Sequence, residues 1–143
     1  MNVKTILAAK GGDTISIEPT ATLAAAAKLL NKHRIGAVVI RGAGGRLSGI
    51  LSERDIVRAL AESGAAALDF PVGQVMTRNV MTCGENDSIA ELMERMTAGK
   101  FRHLPVLKAD QLIGVISIGD IVKMRVQEIE SDAAAMRDYI QTA

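Results

Sequence analysis

The chain has 143 residues, of which 48% are hydrophobic and 23% charged, a make-up that suits one compact globular unit and excludes global disorder. Seventeen basic against sixteen acidic residues leave a net charge of +1, and aromatics reach only 2% with no Trp. There is thus neither the field that gathers a polyanion nor the stacking surface that grips single-stranded nucleic acid. The lone cysteine, Cys83, excludes an internal disulfide and any zinc-type ligand spacing. No apolar stretch approaches the roughly 18 residues that span a bilayer, and the start MNVKTILAAKGG lacks a cleavage-type leader. The expectation is a cytoplasmic protein with no metal, no membrane partner and no nucleic-acid partner.

In chain order, an N-terminal segment (1–13) carries the short apolar set Val3, Ile6 and Leu7. Thr14–Ile17 reads as a strand, and Leu23, Ala26, Ala27 and Leu30 then follow the i, i+3, i+4, i+7 stripe of a helix that faces a core. Two apolar runs, Ile35–Ile40 and Leu47–Leu51, flank Arg41-Gly-Ala-Gly-Gly-Arg46 as a hairpin, and a second amphipathic helix starts near Glu53. A connector (63–78) includes a short helical turn at Val72–Met76.

The same layout then recurs. Asn79–Cys83 reads as a strand, Ser88-x-x-Glu91 as a capping box, and Ile89, Leu92, Met93 and Met96 as the helix stripe. Phe101–Leu107 and Leu112–Ile116 form the hairpin, and a helix starts near Ile118. Gly36 and Gly99 are placed to end the first helix of each copy. The two copies align at an offset of 66, then 65 after a hairpin one residue shorter in the second copy. Gly49–Val57 and Gly114–Val122 are identical at five of nine positions.

These spacings predict an α/β (α+β) fold of tandem β-α-β-β-α repeats, 14–62 and 79–125, packed sheet to sheet. The segment 126–143 continues the last helix with an apolar stripe that suits a partner subunit.

A strand ending in Gly-apolar-x-Ser-x-x-Asp that opens a helix occurs at Gly49–Asp55 and at Gly114–Asp120, and Phe101-Arg-His-Leu-Pro-Val106 precedes the second. With these motifs the chain resembles the cystathionine-β-synthase-type (CBS) domain family from Thr14 to about Met124. The resemblance implies a pseudo-twofold pair with two clefts, homodimerisation, and an adenosyl ligand: AMP, ADP, ATP, NAD or S-adenosylmethionine.

Taken alone, Ser52-x-x-Asp55 and Ser117-x-x-Asp120 are helix caps, since Ser followed three residues later by an acid satisfies the first amides of a helix. The family implies a ribose role for Asp55, Asp120, Ser52 and Ser117, the carboxylate accepting the ribose hydroxyls. Arg54 and Arg58 lie in the first turns of their helix, near amides that favour an anion, and the family brings Arg102 and His103 to the phosphates across the twofold. The matching start in the second copy is Ile118-Gly119, so the two clefts are expected to differ. For the adenine slot the family implies Ser16, Ile35, Gly36, Ala37, Thr82, Leu104 and Pro105, which are otherwise ordinary core and strand-edge residues.

His33 is expected as a solvated helix end, Cys83 as buried and unreactive, and Gly42–Gly45 as a turn rather than a phosphate loop. No nucleophile and base are paired, so catalytic residues are not expected. The function expected is a regulatory module that senses an adenine nucleotide and acts in trans on another protein, with a ligand-free dimerising scaffold as the alternative.

Overall fold

The structure, a computed structural model, describes residues 2–11 and 14–142. Met1, Gly12 and Asp13 of the N-terminal segment and Ala143 of the C-terminal extension lie outside the described residues. Both copies start their first helix by the same device. The Thr22 hydroxyl accepts the Ala25 amide at 3.1 Å to open α2 (Leu23–His33), and the Ser88 hydroxyl accepts the Glu91 amide at 3.1 Å to open α5 (Ile89–Gly99). Leu23, Ala26 and Leu30, or Ile89, Leu92 and Met96, are the faces they bury.

In the first copy β1 (Ser16–Ile17) runs parallel to β2 (Ala37–Arg41), which turns back antiparallel into β3 (Leu47–Ser52). In the second, β4 (His103–Lys108) and β5 (Gln111–Ser117) form the matching hairpin. Helices α3 (Glu53–Ser63) and α6 (Ile118–Thr142) follow directly from β3 and β5. Two further helices, α1 (Val3–Lys10) and α4 (Val72–Val75), precede the two copies.

The structure departs from the sequence reading in two places. Asn79–Cys83 is not a strand; it is reduced to one parallel bridge, Cys83 to Val106, made by the Cys83 amide to the Pro105 carbonyl at 3.0 Å and the Leu107 amide to the Cys83 carbonyl at 2.9 Å. The next rung toward Met81 would need an N–H on residue 105, which proline lacks. The first copy has Val39 there, and its ladder continues from Ile17 to Ser16. Secondly, the helices α2 and α5 end not on Gly36 and Gly99 but on Arg34 (φ 52°) and Lys100 (φ 57°), both left-handed, with Gly99 still inside its helix beside the Phe101 ring.

Most of the buried apolar side chains among the described residues fall into two clusters, one per hairpin, and each takes its leading helix from the wrong side of the sequence. Val72 and Met76, at α4 just before the second copy, pack into the first cluster beside Leu51 and Ile56. Val3 and Ile6 of α1, just before the first copy, pack into the second beside Ile116 and Ile121.

Matched glycines make the exchange possible. A Cβ on Gly49 would stand 2.6 Å from the Thr77 carbonyl oxygen and 2.7 Å from Met76 Sδ, and one on Gly114 would stand 2.6 Å from Leu7 Cδ2. The Thr77 backbone is also fixed, by reciprocal bonds with Ile50 at 2.9 and 3.0 Å. The connector therefore closes the first core, with Ala67 fully buried in it.

Gly49→Ala should destabilise by about 1–3 kcal/mol in urea unfolding, because the oxygen it strikes cannot yield. Gly114→Ala should cost less, and a double-mutant cycle with Leu7→Val should show coupling; additive losses would mean that α1 does not lie on Gly114. Lys100→Gly should stabilise by about 0.5–1 kcal/mol by relieving a left-handed residue, and an unchanged midpoint would argue against that cap.

Candidate functional site

The chemistry gathers where each hairpin's last strand turns into a helix. At the first corner the Ser52 amide donates to Asp55 Oδ2 at 2.9 Å, and the Ser52 hydroxyl accepts the Asp55 amide at 3.3 Å. This is a reciprocal capping box, and it leaves Asp55 5% exposed with Arg58 paired to its other carboxylate oxygen. At the second corner the Ser117 amide donates to Asp120 Oδ2 at 2.9 Å and the Ser117 hydroxyl accepts the Asp120 amide at 3.2 Å.

The basic partner here comes from far away in sequence. Lys10 Nζ reaches from the end of α1 to Asp120 Oδ2 at 2.8 Å and to the Val115 carbonyl at 2.9 Å. Burial pushes the Asp120 carboxyl up, but the bonds from Lys10 and Ser117 outweigh it and hold the group below its usual value.

The strand ends are built alike in the two copies. Ala37 pairs with Ser52 and His103 with Ser117; the Glu53 amide donates to the Gly36 carbonyl at 3.0 Å, and the Ile118 amide to the Arg102 carbonyl at 2.8 Å. The copies also meet here. A Cβ on Gly36 would lie 3.3 Å from His103 Cε1 and 3.8 Å from the Glu53 carboxyl carbon, so the imidazole of the second copy lies over the backbone of the first. Burial lowers the His103 pKa, Glu53 and Asp120 oppose that, and Lys10 and Arg102 add to it. The net effect is a His103 held below the usual histidine value, with desolvation as the main cause.

The remaining sequence candidates fall in the following elements. Ser16 lies in β1 and Ala37, buried, opens β2, while Ile35 and Gly36 are half-buried just ahead of it. Leu104 and Pro105 are buried in β4, and Thr82 is half-buried beside the Cys83 bridge. Arg54 and Arg102 are exposed. Depressions flank α3 on both sides, one lined by Asp55, Arg58, Phe70 and Gln74, the other by Leu30, Arg34, Ile35 and Glu53. His33 is exposed at the end of α2, and Gly42–Gly45 lies in the hairpin turn. Cys83 is buried, and burial above all pushes its thiol up to about 12. Among the described residues no group of three or more His, Cys, Asp or Glu could hold a metal.

Two participants escaped the sequence reading, Lys10 and Glu53. The signal for Lys10 was present but displaced: Val3, Ile6 and Leu7 match Val72, Val75 and Met76 at an offset of 69 rather than 66.

Two repeats, each with a Ser-x-x-Asp corner where its hairpin runs into a helix, define a paired-repeat module. The family model for the CBS domain matches residues 10–62 and 72–126, and the chain belongs to the CBS-domain family as a tandem pair. The solved CBS-domain protein ATU1752 from Agrobacterium tumefaciens is 47% identical, with a TM-score of 0.84 over 87% of this chain and 92% of that one. A CBS domain protein from Pyrobaculum aerophilum, solved in complex with AMP, is 29% identical with a TM-score of 0.75 over 84% and 89%. The CBS domain pair of protein MJ0100, solved in complex with 5-methylthioadenosine and S-adenosyl-L-methionine, is 27% identical with a TM-score of 0.79 over 90% and 98%.

Among curated relatives, the mitochondrial CBS domain-containing protein CBSX3 of Arabidopsis thaliana is 33% identical over 81% of this chain, and a 17.7 kDa protein of Acidianus ambivalens 34% identical over 75%. The chain spans 58% and 64% of their lengths. No helix among the described residues is long and apolar enough to cross a membrane.

His103 should titrate below the ordinary histidine value near 6.5 when followed by NMR. Between its lowered value and about 6.5 the unfolded chain binds more protons than the folded one, so stability should fall as pH drops through that window. A His103→Gln variant should lose that part of the slope, and a midpoint at or above 6.5 would remove the burial argument.

Proposed function

We propose that the chain is an adenine-nucleotide-binding regulatory module, a homodimer in the cytoplasm that reports energy or redox state to a partner protein in trans. The observation that carries this reading is that each Ser-x-x-Asp carboxylate stands with a basic side chain against it, Arg58 at Asp55 and Lys10 at Asp120. A ribose that donates its hydroxyls to Asp120 has to share the carboxylate with Lys10, and the ammonium so freed is matched by a ligand phosphate. Arg54 and Arg58 at the other corner favour the same kind of ligand, with Arg102 and His103 completing the phosphate side and Ser16, Ile35, Gly36, Ala37, Thr82, Leu104 and Pro105 the adenine slot. This cationic setting prefers AMP, ADP, ATP or NAD to the sulfonium of S-adenosylmethionine.

The solved pairs named above, one with AMP and one with 5-methylthioadenosine and S-adenosyl-L-methionine, support an adenosyl ligand. Val57 and Val122, matched positions on α3 and α6, are 64% and 45% exposed and support a dimer face. Ligand would then act by its different affinity for two dimer geometries.

A second reading has its own observation. The same carboxylates already serve as helix caps, which is what a scaffold with empty clefts needs from them.

Calorimetry and thermal shift with AMP, ADP, ATP, NAD and S-adenosylmethionine separate the two. A ligand at a hundred times its dissociation constant should add about 2.7 kcal/mol of stability. Asp55→Asn and Asp120→Asn, which keep an acceptor for the cap, should each remove one binding event. Silence from all five compounds sinks the sensor reading, and isotherms unchanged in both variants return the aspartates to capping alone.

A further inference from the structure

Helix α6 runs on well past the second core. Ile121 is its one fully buried side chain among the described residues, Met124 packs partly on the core, and beyond Glu128 every residue to Thr142 is exposed except half-buried Ala134. On this stretch Val122, Val126, Ile129, Met136 and Ile140 are 45%, 47%, 56%, 60% and 66% exposed, and Ala133 is exposed with them.

Their spacing alternates four and three: 122, 126, 129, 133, 136, 140. That is a period of 3.5, the repeat of a seam between two supercoiled helices, with Val126, Ala133 and Ile140 at a and Val122, Ile129 and Met136 at d. At about 100° per residue the seam lies about a quarter-turn round the helix from Ile121, clear of the face that meets the core. A helical tail of this length standing alone is marginal in water, so the seam needs cover.

We propose that a second copy of this chain supplies the cover, α6 pairing with α6 in parallel as a two-stranded coiled coil. The flanking charges choose both the occupant and the direction. In a parallel pair each g residue faces the e residue five positions on in the other copy, which sets Arg125 against Glu130 and Asp132 against Arg137, both attractive. An antiparallel pair that overlaps the whole seam would instead set Lys123 against Arg137, Glu130 against Glu130 and Asp132 against Asp132. All three are repulsive. The seam is continuous with exposed Val122, so the coil extends the dimer face named above and fixes its axis. It rests on the dimer reading and adds the direction in which the subunits stand.

Sedimentation and same-site cross-linking of the full chain test it. Ile129→Cys and Met136→Cys should each form a disulfide-linked dimer with the same residue of the partner, while the parent chain, whose Cys83 is buried, should not. Asp132→Arg should weaken the dimer roughly tenfold, and adding Arg137→Asp should restore it. Circular dichroism that is unchanged in these exposed-site variants would exclude misfolding as the cause. A dimer that cross-links only between Ile129→Cys and Ala133→Cys, or at neither site, overturns the parallel coil and leaves the dimer standing. A chain that is monomeric at every concentration overturns both.

Discussion

The structure depends on a strand residue with no side chain. Gly49 and Gly114 are the points where a helix from outside the repeat lies directly on the sheet, and everything distinctive about the molecule follows from that approach. Because Met76 and Thr77 press on Gly49 and Leu7 presses on Gly114, neither copy closes its core with its own leading segment. Each borrows the other's. The glycine of the Gly-apolar-x-Ser-x-x-Asp motif thus has a packing reason that is independent of any ligand.

The aspartate of the same motif serves the fold first, and the proposed function asks it to do a second job. Its carboxylate takes up the free amide at the helix start, an arrangement worth about 1 kcal/mol, and is held there by a base. On the proposed reading, a ligand that enters would have to compete for an acceptor the fold already uses. At Asp55 the competing base belongs to the same helix, so the exchange stays local. At Asp120 the base is Lys10, and the exchange reaches α1 and the packing on Gly114. Unequal clefts were expected because one helix begins with arginine and the other with isoleucine and glycine. The inequality found in the structure is in where the positive charge comes from.

Much of this was legible in the sequence because a duplicated pattern reports itself twice. The stripes at Leu23–Leu30 and Ile89–Met96, the two hairpins and the Ser-x-x-Asp corners all gave local signals of period and capping, and the structure has them. What could not be read were interactions that no local pattern encodes. Lys10 meets Asp120 across 110 residues, and His103 meets Gly36 only because two sheets come together. The lost strand at Asn79–Cys83 was readable in principle, since Pro105 sits where a ladder donor was needed, but the apolar alternation outweighed it. The left-handed Arg34 and Lys100 carry no compositional mark, because glycine two residues on, or one before, was the more obvious stop.

The crossed leading helices also set the order in which the molecule can be assembled. During synthesis the first copy lacks Met76 until the connector has been made, so its core stays open on the Gly49 side while the rest of it is present. Helix α1 waits longer still: the strand it covers lies more than a hundred residues downstream, with Lys10 and the Val115 carbonyl 105 positions apart. Closing a loop of that length is slow, and an amphipathic helix without its sheet is exposed meanwhile. The two repeats look separable on paper, yet the first and last parts of the chain finish folding together.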